Sequence, residues 1–203
     1  MKLKVNLLCV ALLPGVWACS QQGESGFDRS GTWKVDGNVS SINFVTTKAG
    51  TVSELGSIGG LSGSIEESGS AEIEFALDST NTGIETRDER MKEFLFDTAQ
   101  FPVGKVTAQI DPATLDSLAS GGGGALEIEA TVTIAGASAP VTLPLAVATV
   151  GKDRVLVQTS KPVLVEASTF NLTDGVEKLR ELASLDAIAP VVPVTVSVTF
   201  ARQ

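Results

Sequence analysis

From Gly31 to the end of the chain, apolar and polar residues alternate with a period of two. That period marks a strand with one dry and one wet face. The clearest run sets Ala71, Ile73, Phe75 and Leu77 against Glu72, Glu74 and Asp78. A second sets Leu126, Ile128, Ala130, Val132 and Ile134 against Glu127, Glu129, Thr131 and Thr133. A third sets Val194, Val196, Val198 and Phe200 against Thr195, Ser197 and Thr199. Weaker strands are expected at 33–39, 41–47, 103–110, 141–150, 154–159 and 163–167. One dry face per strand is the signature of antiparallel pairing, because parallel strands are covered on both faces. Eight or nine such strands in one domain predict an all-β fold, closed as a barrel or packed as a two-sheet sandwich.

Two segments break the alternation with helical spacing. Thr86-Arg87-Asp88-Glu89 has the form of a capping box, and Met91, Phe94 and Leu95 follow at i, i+3, i+4. Asp174-Gly175-Val176-Glu177 begins the second, with Val176, Leu179, Leu182 and Ala183 on one side and Pro190 and Pro193 to stop it. Both predict short amphipathic helices that pack on a sheet or plug a barrel end. The glycine run Gly121–Gly124 lacks the Lys-Ser/Thr of a phosphate loop and predicts a flexible hairpin connection. Asn171-Leu172-Thr173 has the form of a glycosylation sequon, a match that arises readily by chance.

The first eighteen residues read differently. Lys2 and Lys4 head an apolar run from Val5 to Ala18, interrupted by Asn6 and Pro14. A spanning helix needs about 20 apolar residues, so 1–18 is expected to be a signal peptide. Val16-Trp17-Ala18-Cys19 resembles the lipobox of bacterial lipoproteins, which implies cleavage before Cys19 and lipidation of its thiol. Cys9 would leave with the leader, so the mature chain would keep Cys19 alone and could form no internal disulfide. Residues 19–30 begin Cys-Ser-Gln-Gln-Gly-Glu-Ser-Gly and are expected to be a flexible tether to a domain at 31–203. The expected location is the cell envelope, lipid-anchored; Ser20 rather than Asp after the cysteine resembles the pattern for export to the outer membrane, with the domain facing the periplasm.

Composition narrows the chemistry. The 203 residues include no histidine and no tyrosine, which excludes Ser-His-Asp and Cys-His catalysis and any imidazole-bound zinc. With 15 Lys+Arg against 24 Asp+Glu, the formal charge is −9, which repels phosphate backbones, so no nucleic acid partner is expected. Acidic residues such as Glu72 and Glu74 alternate outward, onto a solvated face. No catalysis, cofactor or metal is expected.

Residues 32–102 carry a family resemblance. Trp33-Lys34-Val35-Asp36, Ser40-Ser41-Ile42-Asn43-Phe44, Leu61-Ser62-Gly63-Ser64-Ile65 and Thr82-Gly83-Ile84-Glu85-Thr86-Arg87-Asp88-Glu89-Arg90-Met91-Lys92, leading to Phe96-Asp97 and Phe101-Pro102, resemble the YceI family of bacterial lipid-binding proteins. Thr131 to Leu143 is similar to the family's later strand pair. Val39 departs from many relatives, which carry His there. The resemblance implies a lipocalin-like antiparallel barrel of about eight strands around a long apolar pocket. It also implies a polyisoprenoid, isoprenoid quinone or fatty amide ligand, bound without catalysis. The alternating faces, with Phe94 of the first predicted helix, then name the wall: Phe44, Ala71, Ile73, Phe75, Leu77, Phe94, Ile128, Ala130, Val132 and Val196. Several of these are small, which leaves space in a lumen.

Two matters stay open in the sequence. Arg87 is either a clamp for a ligand head group at the barrel mouth or a local partner for neighbouring acids, with Asp88 and Glu89 facing the positive end of the helix dipole. The barrel is either hollow or filled by side chains, in which case it is an interaction module displaying an acidic face. The expected partners are a long-chain lipid and, through Cys19, the membrane; pairing into a homodimer is left open.

Overall fold

The structure, a computed structural model, describes residues 26–203. The leader, Cys9, Cys19 and the first part of the tether lie outside the described residues. Strand segments form at β1 (Trp33–Val35), β2 (Ser41–Lys48), β3 (Val52–Ile58), β4 (Ser62–Ile65), β5 (Ser70–Ala76), β6 (Val103–Gln109), β7 (Gly123–Ile134), β8 (Ala137–Thr149), β9 (Arg154–Thr159), β10 (Val163–Glu166) and β11 (Val191–Arg202). Helix α1 (Glu85–Arg90) runs on into a wider π-helical stretch, Met91–Phe96, and α2 (Pro112–Gly121) and α3 (Thr173–Leu182) complete the set.

These eleven segments make eight strands, because three strands are bent. The long β11 shows how. Its first half pairs with β10 and β2, its second half with β9 and β1, all antiparallel. Hence β1 and β2 are two halves of one strand, as are β9 and β10. The same holds for β3 and β4, which pair with β2 and β1 respectively. From β4 the order runs β5, β6, β7, β8, β9, each beside the next, and β11 closes the ring against β1 and β2. Closure pairs most strands on both sides and leaves only β3 and β10, among the described strands, with one side outside the ladders, which limits edge-to-edge association.

The bend between β3 and β4 explains what the helices do. It falls at Gly59-Gly60, where Gly60 has φ +61 and a Cβ would come within 2.6 Å of the Ala76 methyl. Only glycine fits both the backbone and the space. Beyond the bend β3 leaves β5, and the segment after β5 fills the gap. Asn81 exchanges two backbone hydrogen bonds of 2.9 Å with Ser57, and α1 follows. The π-helical stretch packs against α3, so the two cover one end of the barrel together. Helix α2 covers the other end, burying Leu118 and Ala119.

Several expectations are corrected. Thr86 is not an N-cap: α1 starts at Glu85 after Ile84, without a side-chain cap. Helix α3 starts at Thr173, after Leu172. Pro193 sits inside β11 opposite Leu164 and stops nothing. The glycine run is no hairpin; Gly122, at φ +73, ends α2 and Gly123 opens β7. The chain also joins the fold before residue 31. The Phe27 ring meets Trp33 edge-on at 5.4 Å, its amide donates to the Ala119 carbonyl at 3.0 Å, and Arg29 pairs with Asp116. Asn171 occupies a left-handed turn at φ +57, a conformation that asparagine tolerates better than most residues.

Candidate functional site

The barrel encloses a cavity of about 440 Å³ whose wall is almost wholly apolar. Phe27, Leu115 and Leu118 line it at the α2 end, and Met91, Leu95, Val176 and Leu179 at the end covered by α1 and α3. Between them run the inward faces of the strands. Ile73, Leu126, Ile128, Val132 and Val196 point inward yet are only half-buried, because the lumen leaves part of each surface uncovered. Large residues concentrate where the wall is dense: Leu77 is 0% exposed, and Phe170, Val198 and Phe200 are each 2% exposed. The hollow alternative therefore fits the geometry, and the filled one does not.

Of the expected wall residues, Phe44, Ala71, Ile73, Phe75, Leu77, Ile128, Val132 and Val196 line this cavity. Two do not. Phe94 is 36% exposed, and its neighbour Leu95 faces the cavity instead. The π-helical winding is the reason. With i→i+5 bonding, residues i+4 and i+5 come over residue i, so Leu95 and Phe96 join Met91 and Phe94 turns outward. Ala130 shares the inner face of β7 but is only 3% exposed and does not reach the cavity surface. Val39, the departure from the family pattern, is 54% exposed in the turn between β1 and β2 and lies outside the cavity.

Sequence reasoning missed the wall contributed by Phe27, Ile58 and Leu118. Helix α2 had a legible start signal, Asp111-Pro112. The Asp111 carboxylate accepts from the Ala113 amide at 2.8 Å, and Pro112 needs no partner for an N–H it lacks.

The charged part of the wall gathers at the α1 end. Lys48 Nζ donates to Glu54 Oε1 at 2.9 Å, and Arg87 Nη1 donates to Glu54 Oε2. Arg87 also donates from Nε to Thr82 Oγ1 at 2.7 Å and from Nη2 to the Thr82 carbonyl at 2.8 Å. Arg87 thus reaches across to β3 as well as holding its own loop. The hydrogen bond from Lys48, with the Arg87 charge beside it, holds the Glu54 carboxyl below the usual carboxylate range despite partial burial. Asp88 accepts from the Thr82 amide at 2.9 Å and from its hydroxyl, fixing the approach to α1, while Glu89 pairs with Lys92. Outside the barrel Glu72 and Glu74 both reach Lys105 at 3.1 Å, so these acids hold the outer face and do not converge on the cavity.

Comparison with known proteins agrees with this geometry. A polyisoprenoid binding domain from Saccharophagus degradans is 34% identical, with 84% of this chain and 98% of that one covered and a TM-score of 0.80. BcnA from Burkholderia cenocepacia shares the fold at 20% identity, covering 81% of this chain and 98% of its own, with a TM-score of 0.62. A search among curated proteins finds no match. The YceI-like domain model matches residues 33–200, nearly the whole barrel, and the chain belongs to that family.

Proposed function

We propose that this domain binds and carries one long apolar lipid of the isoprenoid class inside the barrel, without transforming it. The observation that carries the reading is the continuous apolar wall from Leu118 at one end to Leu95 at the other, around space that no side chain fills. Such a site works by desolvation. Each methylene moved from water into the lumen contributes about 0.8 kcal/mol, so a chain of several prenyl units needs few polar contacts. Selection along the tail is correspondingly loose. The Saccharophagus degradans domain, described as polyisoprenoid binding, supports the ligand class.

The lipobox-like Val16-Trp17-Ala18-Cys19 supports a working place at a membrane of the cell envelope, with the barrel held on the periplasmic side by acyl chains on Cys19. Cys19→Ala should then move the protein from the membrane fraction to the soluble periplasmic fraction. Equal membrane association of the variant removes the anchor from this reading.

The direct test is native mass spectrometry of the protein extracted from its own envelope under mild conditions. The expected spectrum carries an added mass with the spacing of prenyl units. A bare protein that also fails to take up polyprenyl lipid in titration overturns the carrier reading.

A further inference from the structure

The two ends of the cavity differ in charge. At the α2 end the lining holds one cation and one anion, and both are satisfied: Arg29 pairs with Asp116 and donates to the Glu67 carbonyl, and Glu66 accepts from Thr32 and Ser64. At the α1 end the lining holds Lys48, Arg87 and Arg90 against Glu54 alone. Glu54 is spent on Lys48 and Arg87. Arg90 follows Arg87 at i+3 on the same helix face. It donates from Nη1 to the Leu182 carbonyl at 3.2 Å and, among the described residues, has no carboxylate partner. A guanidinium carries five N–H donors in a planar fork, and a carbonyl takes only one of them.

Resting on the carrier reading, we infer that the α1 end of the cavity is a head-group subsite for an anionic lipid, one ending in phosphate or carboxylate. The argument is one of balance. Arg90 sits in a half-buried wall beside the Lys48–Glu54–Arg87 pairs, and a cation there is poorly compensated by a single carbonyl. An anionic head seated among Arg90, Lys48 and Arg87 supplies the missing charge and offers oxygens for the unused N–H groups. A neutral head supplies acceptors without charge and gains less. The protein as a whole is acidic, so this cationic end is a local feature of the lumen and no general attraction for anions.

Calorimetric titration of the purified protein tests this with farnesyl phosphate, farnesol and inorganic phosphate. The phosphate form should bind at least roughly tenfold tighter than farnesol, the scale of one charge-assisted hydrogen bond. Inorganic phosphate alone should bind far more weakly than either. Arg90→Gln should erase most of the preference, weakening farnesyl phosphate far more than farnesol. Glu54→Gln, which frees Lys48 and Arg87, should widen the preference, so it carries the test even where Arg90→Gln fails to fold. Equal affinities for farnesyl phosphate and farnesol overturn the subsite and leave the carrier reading standing. So does a preference that Glu54→Gln leaves unchanged. Inorganic phosphate binding as tightly as farnesyl phosphate overturns the lipid source of the anion. Failure of both prenyl compounds to bind overturns the carrier reading as well.

Discussion

The ring of Phe75 in β5 occupies the space above Gly104, its cross-strand partner in β6; a methyl group at Gly104 would overlap the ring. The same relation recurs between Phe44 in β2 and Gly56 in β3. Both phenylalanines line the cavity. A glycine opposite lets each ring settle onto the sheet, where any larger residue would push it into the lumen. Glycine inside a strand usually marks such a close approach. Here it keeps the barrel hollow at two places on its wall.

Gly104→Ala should therefore force the Phe75 ring inward. The expected cost is roughly 1–3 kcal/mol of stability, the range for overpacking, together with reduced lipid uptake. The double variant Gly104→Ala with Phe75→Leu should regain most of both, since the two positions couple through one contact. Denaturant unfolding of the four proteins checks this. Additive losses in the double variant would show that the ring is not held by the glycine.

Acid sensitivity follows from Glu54. Its pKa is lowered in the fold, first by the hydrogen bond from Lys48 and then by the Arg87 charge. A carboxyl whose folded pKa is depressed contributes stability above its unfolded pKa of about 4.3, and loses it as pH falls through the lower folded value. Between neutral pH and about pH 3, wild-type protein should lose more thermal stability than Glu54→Gln, which has no such contribution to lose. Melting temperatures across that interval decide the matter; parallel curves would mean that Glu54 is not held ionised by its partners.

Much of the wall was legible because strand geometry allows few alternatives. Once Ile73 and Phe75 face inward, period two carries Ala71 and Leu77 with them, and the same logic runs from Ile128 to Val132. What stayed hidden has local causes. Val52-Ser53-Glu54-Leu55-Gly56-Ser57-Ile58 mixes apolar and polar residues on both faces, because Glu54 faces the cavity and Leu55, 74% exposed, faces out. Alternation could not reveal β3. Phe94 was misplaced because spacing rules assume ordinary α-helical winding, and the chain widens to π at Met91. Arg90 carries no pattern of its own; only the fold shows which carboxylates it fails to meet.

The lumen itself is tested at three consecutive positions of β7. Ile128 is half-buried and lines the cavity, Glu129 is exposed with its carboxylate accepting from the Thr142 hydroxyl, and Ala130 is 3% exposed beneath its neighbours. Tryptophan at each has a different consequence. Ile128→Trp places added volume in existing space, so the domain should fold within about 1 kcal/mol of wild type and lose lipid occupancy. Ala130→Trp finds no space, so it should destabilise by about 1–3 kcal/mol or more. Glu129→Trp changes only the outer face and should leave lipid uptake intact. Chemical denaturation measures the first difference and native mass spectrometry the second. If Ile128→Trp costs as much as Ala130→Trp, the barrel is packed at both layers and has no room for a lipid. If Ile128→Trp folds and still carries its full complement of lipid, the ligand does not pass this point of the wall.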